Sequence, residues 1–227
     1  MISARPLHPG TRRYTRHIVY ELAHSIRERD VLTYEHCRRV AVYVSRLARA
    51  CGWSRRAAHD LALAALVHDL GKTWIQNAIL HKESTLSQDE RAETERHPAI
   101  AANLLSAYGA PETLVQAVLH HHEAYNGCGY PDQLAGCAIP MGARLLSVAD
   151  VFDALTSERS YKPAMETAAA RERLVAGSGT HFDPDVVAAF TRLLDDQPDF
   201  RIAPRVSPLP PRPAPSPTWA RHDAFDE

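Results

Sequence analysis

With 227 residues, 45% of them hydrophobic, the chain is long enough to bury one sizeable core, and one domain with an appendage is the expected organisation. A formal net charge of -1 excludes the basic excess that binding to a nucleic-acid polymer requires. The four cysteines show no CxxC spacing, and the longest apolar run, residues 61–67, is too short to span a bilayer, so a soluble, cytoplasmic protein without membrane contact is predicted.

The first half of the chain shows the spacing of three amphipathic helices. Residues 14–29 carry apolar side chains at helical intervals and predict a lead-in helix. A second helix is expected over residues 35–51, where Gly52 provides a C-terminal stop. Ser54 suits the N-cap of a third helix over residues 55–70, which is apolar over much of its surface. This third helix is therefore predicted to be the most buried.

The second half of the chain continues the helical pattern. Residues 87–90 have the form of a capping box that opens a helix toward His97, and Pro98 predicts a break there. The remaining predicted elements are a helix over residues 111–122, a loop over 126–140, a helix over 140–155 and a final helix from 183 to about 194. Because no alternating strand pattern competes with these segments, the predicted fold class is all-α.

The C-terminal segment is rich in proline, with eight prolines among residues 198–217. This composition is typical of a disordered or polyproline II tail. Residues 208–213 look like a ligand for an aromatic-lined groove, but the composition alone explains a solvated tail. The predicted organisation is a lead-in and helix at 1–29, a helical domain at 30–197 and a Pro-rich disordered tail at 198–227.

Seven residues of metal-ligand type recur along the predicted helices, each at or near a helix end. They are His36, His68, Asp69, His97, His121, His122 and Asp150. A compact bundle would bring all of them to one pocket. Imidazole and carboxylate together suit divalent first-row metals, and two such ions roughly 3.5–4 Å apart are a common device for phosphoester hydrolysis. The sequence therefore predicts a dinuclear site for phosphoester chemistry.

Two of these residues, His68 and Asp69, are adjacent at the foot of the apolar third helix. The alternative interpretation is a polar helix end, but a buried polar pair needs a compensating partner, and a metal ion is such a partner. The carboxylate of Asp69 can bridge two ions, and Lys72 can face the same pocket. His120 is left out because consecutive helical residues point about 100° apart, so at most two of three neighbouring histidines face one centre.

The motifs around these residues resemble a known family, the HD-GYP subfamily of the HD-domain metal-dependent phosphohydrolases, which are bacterial cyclic di-GMP phosphodiesterases. Residues 68–72 are similar to the HD signature, and residues 121–131 are similar to the GYP signature with its preceding histidines. Later segments that also match are residues 147–156, 159–162 and 179–184. The resemblance covers about residues 30–190 and implies that the domain is a single HD-type helical bundle with catalytic function.

The resemblance also implies roles for individual residues. The ligands of a first metal are His36, His68, Asp69 and Asp150. A second metal shares Asp69 and is held by His97, His121 and His122. The implied catalytic residues are Lys72 and Asp69. The implied substrate-binding residues are Arg159 and Lys162, for which the alternative is an ordinary solvated loop. Gly129 and Tyr130 are predicted substrate-binding residues as well, because Gly129 allows close backbone approach and Tyr130 either stacks on a guanine or packs the loop. Asp153, one helical turn after Asp150, is interpreted as a supporting or structural carboxylate rather than as a ligand.

The implied function is hydrolysis of cyclic di-GMP, mainly to linear pGpG and less readily to GMP, by a hydroxide activated at two divalent metal ions, iron or manganese. Family members with a third metal have a Glu where this chain has Leu32, so two metals are expected. One alternative is a phosphodiesterase for another cyclic dinucleotide or nucleotide, such as 3',3'-cGAMP. Another is a non-catalytic signalling module that binds a partner such as a diguanylate cyclase, but this alternative predicts a lost ligand, and every ligand position is intact.

Overall fold

The computed structural model describes residues 9–80, 82, 84–158 and 163–196, and these residues form helices and connecting turns without any β-strand. The all-α fold class is therefore confirmed. The α-helices are α1 (Pro9–Arg29), α2 (Val31–Ala50), α3 (Arg55–Ala65), α4 (Asn77–Leu80), α5 (Gln88–Thr94), α6 (His97–Ala107), α7 (Glu112–Leu119), α8 (Met141–Thr156), α9 (Thr167–Ala176) and α10 (Pro184–Asp196). Two short 3-10 helices lie at Leu70–Trp74 and Gly136–Ala138.

Local capping explains where several helices begin. The side chain of Ser54 accepts a hydrogen bond from Ala57 N at the start of α3, as predicted. At α5 the predicted capping box forms in full, because Ser87 and Glu90 each accept a hydrogen bond from the backbone of the other. Asp30 caps α2 by accepting from Leu32 N, which starts this helix four residues earlier than the apolar spacing indicated.

Two helices end earlier than predicted, and both ends carry candidate ligands. α3 stops at Ala65, where the chain tightens into bonds such as Val67 N to Ala64 O before the 3-10 helix Leu70–Trp74. α7 stops at Leu119, so residues 120–122 lie in a turn and not on a helix. The tighter turns redirect the polar side chains from the helix surface toward the interior.

The core consists of two hydrophobic clusters, and α3 contributes to both. The first cluster joins α2, α3, α8, α9 and α10, with Phe152 at its centre in edge contact with Tyr43 and Phe190. The second joins α1, α3, α6 and α7, and its α1 members include the buried residues Val19 and Ile26. α3 therefore has core on two sides, which places its C-terminal turn between the clusters.

Some predictions fall on parts of the chain outside the described residues. These are the Pro-rich tail at 198–227 and the two basic residues Arg159 and Lys162. The division at residues 29/30 and 197/198 stays a prediction. Within the described ranges, none of the helices combines the length and the apolar character needed to cross a membrane.

Candidate metal centre

Five separate segments deliver the seven predicted ligands to one place inside the bundle. The ligands come, in chain order, from α2, the turn after α3, the start of α6, the turn after α7 and the middle of α8. They are His36, His68, Asp69, His97, His121, His122 and Asp150. Five of these side chains are buried, and those of His122 and Asp150 are half-buried. The structure thus brings together the complete set of predicted metal ligands.

The ligand atoms form overlapping groups, and in each group they lie within 4.8 Å of one another. One group is Asp69, His97, His121 and His122, and another is His36, His68 and Asp69. A third combines His68, His121 and Asp150. Asp69 belongs to the first two groups, with Oδ1 3.2 Å from His97 Nε2 and Oδ2 3.6 Å from His68 Nε2. Its carboxylate is therefore placed to bridge two ions.

Backbone carbonyls orient three of the histidines. In each, Nδ1 donates a hydrogen bond to the carbonyl oxygen three residues earlier in the chain, over 2.6–2.8 Å. The pairs are His68 with Ala65, His97 with Thr94 and His121 with Val118. Because a carbonyl can only accept, Nδ1 carries a proton in these contacts, which leaves Nε2 as the ring nitrogen that can bind a metal ion. Metal-binding histidines usually donate their other ring N–H to a protein acceptor in this way, which fixes the tautomer and the ring orientation.

Several of the inward-facing atoms have no hydrogen-bond partner. Nε2 of His68, Oδ1 of Asp69 and Nε2 of His121 are all buried and unpaired. His97 Nε2 lies 3.2 Å from both Asp69 Oδ1 and His122 Nε2, so three potential metal-ligand atoms converge there. Burying unpaired polar atoms is costly, and bound cations remove that cost. The donor set and its geometry therefore fit divalent metal ions.

Burial and neighbouring charges shift the pKa values of the candidate ligands in different directions. Burial lowers the pKa of His68 and of His36, but the carboxylates of Asp69 and Asp150, respectively, outweigh it and raise both above the usual value. Burial raises the pKa of Asp69, but the charges of Lys72 and His68 outweigh it and hold this pKa well below its usual value. Burial also lowers the pKa of His121 strongly, with a further contribution from His122, and it lowers the pKa of His122 to about 3 against the opposing charge of Asp150. The carboxylate is thus ionised and these two imidazoles are neutral.

Lys72 lies beside the shared carboxylate. Its Nζ donates a hydrogen bond to Asp69 Oδ2 over 2.7 Å, from three residues further along the chain. Burial lowers the pKa of Lys72, but the charges of Asp69 and Asp150 outweigh it and raise the pKa above its usual value. Lys72 is therefore an ammonium ion next to the metal ligands, and a quarter of its side chain remains accessible to solvent.

The GYP loop, residues 124–134, lies against the ligand group that contains His122. The Tyr130 ring stacks on the His122 imidazole, with centroids 4.9 Å apart and planes 29° apart, and Tyr130 N donates to His122 O. Gly129 packs so closely that an added Cβ would lie 2.2 Å from Ala124 N. The close packing explains why glycine is needed there. Substrate contact by Gly129 and Tyr130 stays a prediction.

Two residues next to the ligands hold this loop in place, and their roles were not predicted. The buried carboxylate of Glu123 accepts hydrogen bonds from Asp132 N over 2.7 Å and Leu134 N over 3.1 Å. His120 Nε2 lies 2.9 Å from Asp132 Oδ2, so this histidine points toward the loop and not toward the metal ligands. The sequence signal for both was their position flanking the two ligand histidines.

The fold and the site together define a helical-bundle protein with a buried histidine–aspartate cluster able to bind metal ions. The family model described as HD domain matches residues 22–186, and the chain belongs to this HD domain family. The relatives of this chain confirm its resemblance to the HD-GYP phosphohydrolases.

Two curated relatives illustrate the similarity. The cyclic di-GMP phosphodiesterase response regulator RpfG of Xanthomonas campestris is 40% identical over 181 residues, which cover 78% of this chain and 47% of RpfG. The 3'3'-cGAMP-specific phosphodiesterase 2 of Vibrio cholerae is 36% identical over 178 residues, which cover 78% of this chain and 34% of that protein. The chain thus spans less than half the length of these relatives.

Solved structures show the same fold. A cyclic GMP-AMP specific phosphodiesterase of V. cholerae superposes with a TM-score of 0.62 at 23% identity, covering 82% of this chain and 50% of that chain. An HDG"Y"P protein from Bdellovibrio bacteriovorus has a TM-score of 0.57 at 23% identity, covering 70% of this chain and 51% of that chain. At this level of identity the likeness supports the helical architecture alone.

Proposed function

We propose that this protein is a metal-dependent phosphodiesterase that hydrolyses cyclic di-GMP, with linear pGpG as its main product. One observation carries the proposal: Asp69 is shared by two groups of buried ligand atoms, several of which have no partner without a cation. A carboxylate between two histidine-rich groups is the arrangement that a two-ion centre needs. The curated relatives, which are named cyclic dinucleotide phosphodiesterases, support the class of substrate.

The ligand set accounts for two ions. His36, His68 and Asp150 would complete the first ion's coordination together with Asp69, and the three remaining histidines would hold the second. When bound, two divalent ions supply a nucleophilic hydroxide near neutral pH and offset the charge on the phosphoryl oxygens. Mixed imidazole and carboxylate donors suit iron or manganese, which we propose as the native metals.

Lys72 has two functions in this proposal. Its ammonium group fixes Asp69 Oδ2 at 2.7 Å, which leaves Oδ1 directed toward His97. Its side chain also stays one-quarter exposed, so the ammonium group is proposed to meet a phosphate of the substrate as well. A fixed positive charge there would stabilise the additional negative charge of the transition state. Arg159 and Lys162, which lie outside the described residues, are proposed to bind the substrate phosphates.

The expected product follows from the number of ions. Leu32 stands at the position where a third carboxylate would be needed, and its apolar side chain is 67% exposed at the start of α2. It offers no ligand atom. A two-ion site is proposed to open the ring of cyclic di-GMP once and release pGpG, with cleavage to GMP as a slower second reaction.

A second candidate substrate is 3',3'-cGAMP, because cGAMP-specific phosphodiesterases are among the relatives. It differs from cyclic di-GMP in one base and has the same ring of two phosphodiesters. The metal centre would treat both alike, so discrimination would come from base contacts. The two substrates must therefore be compared directly.

The decisive experiment measures both hydrolyses with metal-loaded protein. Protein purified without oxygen and loaded with Fe²⁺ or Mn²⁺ is incubated with cyclic di-GMP or 3',3'-cGAMP, and nucleotides are separated by chromatography. We expect pGpG from cyclic di-GMP, no turnover by a His68→Ala, Asp69→Ala double variant, and full activity of His59→Ala, which changes an exposed histidine on α3. Loaded protein that leaves both dinucleotides intact would refute the proposal.

A further inference from the structure

The imidazole of His36 is held between two carboxylates of α8 that lie one helical turn apart. Its Nε2 is 2.9 Å from Asp150 Oδ1, and its Nδ1 is 2.7 Å from Asp153 Oδ2. Asp150 belongs to the metal-binding groups, but Asp153 faces the opposite nitrogen of the ring. The two carboxylates therefore have different roles, although they are neighbours on the same helix face.

Asp153 is itself fixed by an arginine of α2. Arg39 Nε donates to Asp153 Oδ1 over 2.7 Å and Arg39 Nη2 donates to Oδ2 over 2.9 Å, which is a two-pronged ion pair. Asp153 is fully buried, and only 13% of the Arg39 side chain is exposed. Both oxygens of Asp153 are thus occupied, one by Arg39 alone and one by Arg39 and His36. Asp153 is consequently a support for the ring of His36 and has no free oxygen for an ion.

His36 differs in this respect from three other histidines of the centre. Nδ1 of His68, His97 and His121 donates to a backbone carbonyl, which substitution cannot remove. For His36 the corresponding acceptor is a side chain, and it is a carboxylate. A carboxylate acceptor fixes the tautomer and the ring orientation and also makes the opposite nitrogen a stronger electron donor to a metal.

We propose that Asp153, held in place by Arg39, is a positioning residue that sets the affinity of the first metal ion through His36. The inference rests on the two-ion centre of the proposed function. The second ion is linked to this chain of contacts through Asp69, whose Oδ2 lies 3.7 Å from His36 Nε2, whereas its three histidines make no contact with Asp153 or Arg39 in the interactions described above. Disrupting the ion pair should therefore weaken the first ion much more than the second.

The test measures bound metal without any substrate. Wild-type protein and the Asp153→Asn variant are loaded with Mn²⁺ and dialysed against increasing concentrations of chelator, and metal per protein is determined by mass spectrometry. Asparagine keeps the shape but removes the charge and presents one NH₂ group where Arg39 or His36 needs an acceptor. We expect the first ion to bind about 10- to 100-fold more weakly, with a much smaller effect on the second ion.

Two further variants separate positioning from general loss of structure. Arg39→Lys keeps the charge and loses the fork, so it should weaken the first ion in the same direction. Arg38→Gln is the matched control, because Arg38 directly precedes Arg39 on α2 but pairs with Glu35 and not with Asp153. It should bind both ions as the wild type does. If Asp153→Asn fails to fold, Arg39→Lys alone carries the test.

A double variant distinguishes an effect of Asp153 that acts through His36 from a purely structural role of Asp153. Once His36→Ala has removed the ring, adding Asp153→Asn should cause no additional loss of metal. Equal weakening of both ions, or further loss in the His36→Ala background, would overturn the inference, as would wild-type binding by both Asp153→Asn and Arg39→Lys. Because no nucleotide is used, protein that binds two ions but cleaves nothing would refute only the proposed function.

Discussion

Lys72 Nζ lies 2.7 Å from Asp69 Oδ2, within the turn that follows α3. The contact joins the ammonium group of Lys72 to a shared carboxylate. Asp69 belongs both to the ligand group that contains His122 and to the group that contains His36. The contact fixes the rotation of the carboxylate, so Oδ1 faces His97 at 3.2 Å. Lys72 therefore orients the shared carboxylate without being one of the predicted metal ligands.

Replacing this lysine should impair catalysis more than metal binding. In Lys72→Met the seven predicted ligands remain, but the positive charge that we propose to lie beside the substrate phosphate is lost. We expect kcat to fall by about 10²- to 10³-fold with two ions still bound. Steady-state kinetics and metal analysis of the same sample check this. Lys82→Met, which changes a lysine paired with Glu90, is the control, and loss of metal from Lys72→Met would contradict the prediction.

Removing the charge of Asp69 should affect both ions at once. Asp69→Asn keeps the size of the side chain but can no longer bridge two cations as an anion. We expect metal content to fall from two ions toward zero, whereas His122→Ala should lose only the second ion, since His122 belongs to one group. Metal analysis after gel filtration distinguishes these outcomes. An Asp69→Asn variant that retains both ions would argue against a shared carboxylate.

Gly71 should tolerate no side chain, because α6 lies against it. A Cβ at Gly71 would lie 2.1 Å from His97 O, which is backbone and cannot rotate away. We expect Gly71→Ala to lower the free energy of unfolding by about 1–3 kcal/mol and to weaken the second ion by displacing His97. Thermal denaturation and metal analysis provide the measurements.

Gly52 offers a comparison in which strain occurs without a clash. Its φ is +82° and nothing lies within 4 Å of an added Cβ, so Gly52→Ala should cost about 1 kcal/mol of backbone strain and leave metal binding unchanged. Equal effects of the two substitutions on metal content would show that the contact of Gly71 with His97 is unimportant.

The GYP loop should loosen when Glu123 loses its charge. Glutamine has one acceptor oxygen where the carboxylate has two, so one of the amides of Asp132 and Leu134 would be left unpaired in Glu123→Gln. We expect a loss of about 1–3 kcal/mol in stability and faster proteolysis between residues 124 and 134. Denaturant titration and limited proteolysis test this, with the exposed Glu172→Gln as control. Unchanged proteolysis would show that the loop is held by other contacts.

Features that depend on close neighbours in the chain could be predicted from the amino-acid sequence. The N-caps Ser54 and Ser87 were predictable because a cap involves residues only three positions away. The adjacent His68 and Asp69 identified the HD motif for the same reason. The helix ends were predicted less accurately. α3 stops at Ala65, where the chain continues in a tighter turn, and the periodicity of apolar residues gives no sign of that change.

The contacts that combine these residues into one site depend on the packing of distant segments and were not predictable. The contact between His36 and Asp153 joins residues 117 positions apart, and its partner Arg39 carries no sequence motif. The double membership of Asp69 and the direction of His120 toward the loop likewise depend on how separate helices pack. Such relationships arise from the simultaneous burial of several helix faces in two cores, so no short segment of the chain encodes them.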